Sequence, residues 1–182
     1  MGYPSVWETT FTLADGRKVD FRPKQSTDTE MLWNMFSTLS EKSLSNLVPP
    51  FTRKRIEGWT SKIDNDKVLT IVAVLREKDK QRIVGSASLS FNTLEIFKHK
   101  AELSITVHDD YQNKGIGTAM LKHLLSIARM KTLRKVWLLV NTDNDGAVHL
   151  YQKVGFEIEG KLSKERYSNG KFGDEFRMAV FL

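Results

Sequence analysis

The stretch Ala101-Glu102-Leu103-Ser104-Ile105-Thr106-Val107-His108-Asp109-Asp110-Tyr111-Gln112-Asn113-Lys114-Gly115-Ile116-Gly117-Thr118 decides the fold. Its first half alternates: Ala101, Leu103, Ile105 and Val107 point one way, Glu102, Ser104 and Thr106 the other, as in a strand with one buried face. From about Gly115 to Met130 the apolar period lengthens to that of a helix, with Ile116, Met120, Leu121, Leu124 and Ala128 on one side. The turn between them is rich in glycine. A helix N-terminus presents unpaired N–H groups and a partial positive charge, which attract phosphate. Glycine lets that backbone approach a ligand closely, and Lys114 adds a full charge. Gln112, Asn113, Lys114, Gly115, Ile116, Gly117 and Thr118 are therefore expected to cradle a pyrophosphate. A dinucleotide fingerprint would need a glycine at 120, where Met120 stands, and no Walker A loop occurs.

Upstream, Lys18 to Arg22 reads as a first strand ended by Pro23. Thr27 and Glu30 form a candidate capping box for a helix burying Met31, Leu32, Met35, Phe36 and Leu39. Pro49-Pro50 interrupts the chain, and a weaker helical pattern runs from about Thr52 to Ile63. Val68–Arg76 and Arg82–Phe91 are strand patterns joined by a polar turn at Glu77-Lys78-Asp79-Lys80, with Gly85 marking a bulge or close approach. Downstream, Arg134 to Val140 is a continuous apolar run expected to be covered on both faces. A short helix from about Asp145 to Val154 carries Ala147, Leu150, Tyr151 and Val154 on one side and ends at Gly155. Two last strands turn at Ser168-Asn169-Gly170. The succession predicts one domain over residues 1–182, a mixed α/β sheet.

Composition narrows the function classes. No apolar run approaches the roughly 20 residues that span a bilayer, and Met1 to Thr10 lacks the pattern of a secretory signal, so a cytoplasmic protein without membrane partners is expected. Cysteine is absent, which excludes disulfides, thiolate metal sites and a cysteine acyl-enzyme. His99, His123 and His149 lack ligand spacing, so no metal is expected. The net charge of +6 favours an anionic ligand. No nucleic-acid motif or long basic run accompanies it, so nucleic acid is a disfavoured partner.

A second constellation follows Gly117 by 24 residues: Asn141-Thr142-Asp143-Asn144-Asp145-Gly146-Ala147, then Leu150-Tyr151 and Gly155-Phe156. With Val107-x-x-x-Tyr111-Gln112-x-x-Gly115-x-Gly117 it resembles, in order and spacing, the GCN5-related N-acetyltransferases (GNAT). The end of the chain, with Tyr167-x-Asn169-Gly170-Lys171-Phe172-x-Asp174 and Met178, resembles the branch holding ribosomal-protein, amino-acid and polyamine acetylases. The resemblance implies a GNAT fold: a mostly antiparallel sheet split by a splayed central strand pair, helices on both faces. It implies direct transfer of acetyl from acetyl-CoA to a primary amine in a ternary complex.

By the same resemblance the Val107 N–H polarises the thioester carbonyl. The amides from Gln112 to Thr118 hold the diphosphate, and Asn144, with Asn141 nearby, hydrogen-bonds the pantetheine arm. Tyr151 matches the family's acid for the departing thiolate. Glu102, on the polar side of its strand, is the candidate base, with His108 a weaker one. Trp33, Phe36, Phe51, Trp59 and Tyr167 are candidates for an acceptor pocket or simply for core. The acceptor implied is a small amine, an amino acid, a polyamine or a peptide N-terminus, and a homodimer is common in the family. Two other readings stay open: an acetyl-CoA-binding sensor without turnover, and a basic nucleic-acid-binding module on the same fold.

Overall fold

The computed structural model describes residues 3–77, 80–168 and 170–182. The alternating stretch becomes β5 (Lys100–Val107), near the middle of an eight-stranded sheet. Before it come β1 (Thr9–Thr12), β2 (Lys18–Pro23), β3 (Val68–Glu77) and β4 (Lys80–Phe91), each antiparallel to the next. After it come β6 (Lys135–Asn141), β7 (Glu157–Ser168) and β8 (Lys171–Phe181), in the spatial order β5-β6-β8-β7. Among the described residues only the β5–β6 pair is parallel, as the crossover through α4 (Ile116–Met130) demands.

Helices cover the two faces through separate cores. On one face Ile116, Met120, Leu121, Leu124, Ile127 and Ala128 of α4 pack on the inward residues of β3, β4, β5 and β6. Tyr151 of α5 (Asp145–Lys153) and Phe156 extend this core. On the other face α1 (Thr29–Ser37) and α3 (Arg53–Ser61) bury Leu32, Met35, Phe36 and Ile56 against Val72, Val74 and Ile83. Gly85 justifies both readings of it. The β3–β4 register shifts beside it, and an added Cβ would lie 2.9 Å from the Met120 sulfur.

Several expectations are corrected. Thr27 and Glu30 do not cap α1: the chain turns through a short 3₁₀ segment, Ser26–Asp28, closed by a capping box of Gln25 and Asp28. Asp28 is fully buried, accepts the Gln25 N–H at 2.7 Å and takes both terminal nitrogens of Arg22 at 2.6 and 2.8 Å. Glu30 instead pairs with Arg53 across to α3. β1 and α2 (Glu41–Ser45) had no sequence signal, the first an exposed edge strand, the second too short to show a period. β6 is covered on one face only. Val136, Leu138 and Val140 are buried, while Leu139 is 36% exposed. Of the expected turns, Lys78, Asp79 and Asn169 lie outside the described residues.

Asp28 tethers α1 to β2 with a buried, bidentate ion pair, and removing one member leaves the other charge uncompensated. Asp28→Ala is expected to lower unfolding free energy by about 3 kcal/mol, read as a shift of the urea midpoint at constant m-value.

Candidate active site

β5 and β6 stay paired only from Lys100–Glu102 against Lys135–Trp137; beyond that they part. Strand alternation fixes what the opening exposes. The His108 N–H donates to Val84 O on β4 at 2.9 Å, and His99 O accepts from Arg134 beside β6 at 2.7 Å. Odd-numbered residues of β5 therefore turn their backbone groups away from β4, and the N–H groups of Ile105 and Val107 face the gap. Val107 O, on that same edge, accepts from the Gln112 side chain at 3.0 Å.

The glycine-rich turn sits at the mouth of the gap. Asn113 and Gly115 both take left-handed backbone (φ 59° and 83°), which swings the chain into α4 with Gly115 as its N-cap. The N–H groups of residues 113–118 find no hydrogen-bond partner among the described residues. Gln112 differs, because its N–H donates to Asp109 O at 3.2 Å. The open run of donors thus begins one residue later than the sequence suggested. Gly117 lets the first turn of α4 close onto its neighbours: an added Cβ would lie 3.3 Å from Leu150 Cδ2 and 3.8 Å from Val107 Cγ2. Gly115 lies over the ring of Phe11 in β1, which would stand 3.2 Å from a Cβ there. The site fits a diphosphate: free donors, a dipole end and Lys114 alongside.

Within the gap lies a narrow cavity of about 110 Å³, lined by Ile105 of β5, Leu139, Val140 and Asn141 of β6, Asn144, Ala147 and Tyr151 of α5 and its cap, Glu175 of β8, and Asn46-Leu47. Tyr151 is 7% exposed, and burial pushes its phenol up to about 12. Asn144 caps α5 by accepting the Ala147 N–H at 3.3 Å, leaving its amide nitrogen to the cavity. Asn141 is otherwise engaged: it donates to Asn46 Oδ1 at 2.8 Å and accepts from Arg166 at 2.7 Å. Asn141 is also a wall of a separate groove of about 650 Å³, lined by Ser45, Asp143, Arg166, Lys171 and Phe172 among others.

A set of hydrogen bonds clamps the α1–α2 segment to the residues before the phosphate turn. Asp109 accepts from Ser40 N, Ser40 Oγ and Ser43 Oγ at 2.8, 2.7 and 2.6 Å. Burial alone would raise its carboxyl, but the donors from Ser43 and Ser40 outweigh it and hold it at about 2. Gln112 adds a bond to Ser43 Oγ at 3.3 Å, and His108 Nε2 meets Thr38 Oγ1 at 3.0 Å. None of Asp109, Ser40, Ser43, Asn46, Arg166 or Glu175 had been singled out from the sequence, because no local spacing connects them.

Glu102 is not brought to Tyr151. It lies at the closed end of the pair, opposite Trp137, three residues and about 10 Å of strand from Ile105. Partial burial pushes its carboxyl up against the pull of Arg177. The aromatic candidates divide. Phe36 is buried in the second core, stacks on Phe51 and meets Trp59 edge-on, and Phe51, Trp59 and Trp33 pack against that core from its partly exposed side. Tyr167 is exposed and packs at a tilt against Phe172, which lines the groove.

The Acetyltransferase (GNAT) family profile matches residues 32–156. This chain belongs to the GNAT family. It is 35% identical over 83 residues to spermidine N(1)-acetyltransferase of Escherichia coli (strain K12), covering 45% of each chain. It is 29% identical over 98 residues to the L-amino acid N-acetyltransferase AaaT of the same organism, covering 53% of this chain and 60% of that one. The chain thus spans about half the length of the curated relatives it matches. A GNAT acetyltransferase structure from Streptococcus pneumoniae superposes with a TM-score of 0.73 at 27% identity, covering 89% of this chain and 98% of that one. The GNAT family uses acetyl-CoA. The gap between β5 and β6, the free amides and Tyr151 are the features of this GNAT chain that its sequence motifs had placed together.

The Asp109 clamp yields a prediction. Its folded value lies below the unfolded carboxylate range near 3.9, so its contribution is full above that range and is lost as pH falls through about 2. Asp109→Ala is expected to speed amide hydrogen exchange in residues 38–46 at least tenfold while leaving α4 protected. In the wild type the same segment should stay protected from pH 7 down to about 4.

Proposed function

We propose that this chain transfers the acetyl group of acetyl-CoA to a primary amine within a ternary complex, without an acyl-enzyme. What supports the reading most is the conjunction of the partner-less amides of residues 113–118 with a strand gap whose free N–H groups lead to Tyr151. In this reading the amides of Asn113 to Thr118 hold the diphosphate, with Lys114 beside it. Asn144 holds the pantetheine amides, and the N–H of Val107 or Ile105 polarises the thioester carbonyl. Acetyl-CoA supplies an activated acyl carbon and a thiolate leaving group. Tyr151 keeps its proton at any working pH and hands it to that thiolate. A phenol near 12 is a weak acid, but the apolar wall that raises it raises a thiol placed there too, so donor and acceptor stay matched.

The acceptor enters from the opposite face, through the groove between α2 and the β7–β8 hairpin. That groove carries both signs of charge. Arg166 and Lys171 face Asp143 and Asp174, and Asp174 is already paired with Lys161 at 2.7 Å. A polycation would meet two cations there. An amino acid or a peptide N-terminus, with polar groups of both signs, fits better than spermidine does. A cytoplasmic place of work goes with this reading; no helix among the described residues is long and apolar enough to cross a membrane.

Two variants test it. Gly117→Val forces the first turn of α4 off Leu150 and Val107, and should weaken acetyl-CoA binding at least tenfold by calorimetry with the far-UV spectrum unchanged. Tyr151→Phe should cut thiol release from acetyl-CoA and an amino-acid panel by roughly 10²-fold while acetyl-CoA affinity changes less than threefold. Unchanged turnover would remove Tyr151 as the acid.

A further inference from the structure

Tyr151 and Glu175 are the two titratable side chains that line the cavity in the gap, and they reach it from opposite faces of the sheet. Tyr151 comes from the α4–α5 side. Glu175 is the register partner of Asn141, whose side chain turns toward α2 and the acceptor groove. Glu175 is only 8% exposed, unusual for a carboxylate without a hydrogen-bonded partner. Among the described residues it accepts no hydrogen bond. The nearest cation is Arg166 Nε at 3.7 Å, beyond hydrogen-bonding range. The terminal nitrogens of Arg166 are committed elsewhere, to Asn141 Oδ1 and Ser45 O, each at 2.7 Å. A brace would join the two side chains directly. Here Arg166 supplies a field and leaves the acceptor lone pairs of the carboxylate open to the cavity.

The placement is built into β7. Its register against β8 shifts between Leu162 and Arg166, with Lys164 in left-handed backbone (φ 57°) and its N–H bonded to Asp174 Oδ1 at 2.8 Å. A bulge re-aims the side chains that follow it. This one turns Arg166 under the sheet toward Asn141, Ser45 and Glu175. The charged groups facing Glu175 are Arg166 and, more weakly, Glu165 of β7; Asn141 of β6 and Asn46 beyond α2 are neutral. Burial pushes the Glu175 carboxyl up, with Arg166 pulling down and Glu165 adding to the rise.

We propose that Glu175, rather than Glu102, takes the proton from the acceptor's ammonium group in the throat between the acceptor groove and the thioester. The proposal rests on the acetyltransfer reading above. The acceptor arrives as R–NH₃⁺ through the groove. Glu175 removes one proton, and the freed lone pair forms the new N–C bond at the thioester carbonyl. As the tetrahedral adduct collapses, the C–S bond breaks and the sulfur takes the Tyr151 proton. The second nitrogen-bound proton, lost as the amide forms, returns to Tyr151 through water. Glu175 sheds its proton to the groove. The products are R–NH–COCH₃, free CoA thiol and one released proton, so the reaction balances.

The test is the pH dependence of kcat/KM for thiol release, measured with acetyl-CoA and a panel of amino acids, N-terminal peptides and amines. A base works deprotonated, so wild-type activity should fall as pH drops through the Glu175 ionisation, which burial places above the ordinary carboxylate range. Glu175→Gln should lower kcat/KM at least fiftyfold, abolish that acidic limb, and keep acetyl-CoA affinity within twofold. Its melting temperature should hold or rise, since the neutral isostere removes a desolvated charge. Glu175→Asp, which retains a carboxylate, should recover part of the rate together with the limb. Turnover within threefold of wild type in Glu175→Gln, with the acidic limb intact, would overturn the assignment and leave acetyltransfer standing. A Glu175→Gln protein that melts several degrees lower and loses acetyl-CoA affinity would mark Glu175 as a structural brace and equally overturn it. No thiol release by the wild type with any amine would defeat the acetyltransfer reading itself.

Discussion

Everything that distinguishes this sheet from a plain stack of strands follows from the early end of pairing between β5 and β6. Strand backbones deprived of a neighbour carry donors and acceptors that must be met by water or by a ligand. Here the deprived segment lies in the centre of the sheet, where such groups are shielded on both faces. A local cause can be named. The β3–β4 register shifts beside Gly85, and Gly85 is the partner of Val107 at the far end of β5. A bulge increases local twist, which carries the end of the β4–β5 pair away from β6. At the other end β6 is held straight by its full register with β8. The tight seat of Gly85 under Met120 locks the bent end against α4.

That opening has two mouths, and the hydrogen bonds tie them together. Asp109 and Gln112 hold the Ser40–Ser43 segment on one side of the phosphate turn. Asn141 and Arg166 hold Ser45 and Asn46 on the other. The α1–α2 segment, which supplies Ser45 to the wall of the groove, is thus fixed at both ends by residues flanking the gap. Short segments like α2 contribute little stability of their own, so these bonds decide where the wall stands. A disturbance of the phosphate turn would pass to the groove through Ser43 without any change in the sheet.

The fold was legible wherever one period ran long enough to be read. Residues 101–130 gave strand, turn and helix to within a residue or so, and the order of the later strands followed. β1 and α2 escaped because an exposed edge strand and a five-residue helix leave no stripe of apolar side chains. The α1 cap was misplaced by two residues because Asp28 serves a buried arginine as well as the turn, a fact that lies in the fold and not in the spacing. The same limit governed the site. The phosphate turn and Tyr151 sit in contiguous motifs. Glu175 and Arg166 meet only because a bulge in β7 and the β6–β8 register bring them to one place. Glu102 stood out by its position on the cleanest strand, yet it lies on the short stretch of β5 that is still paired with β6, while the same alternation runs on into the gap.

Burial acts on Tyr151 and Glu175 in the same direction and with opposite consequences for their work. It raises both groups, so the phenol stays protonated and the carboxylate titrates closer to neutrality. In the proposed mechanism an acid and a base face one small cavity, and they need well-separated ionisations, or each would quench the other. Here the separation is intrinsic to phenol and carboxyl and survives the shared shift. Arg166 limits how far Glu175 rises, because a cation at 3.7 Å favours the charged form without capping its oxygens. Moving Arg166 into direct contact would hold the carboxylate charged more firmly but would occupy the oxygens an ammonium needs. The offset geometry, set by the bonds of Arg166 to Asn141 and Ser45, satisfies both demands at once.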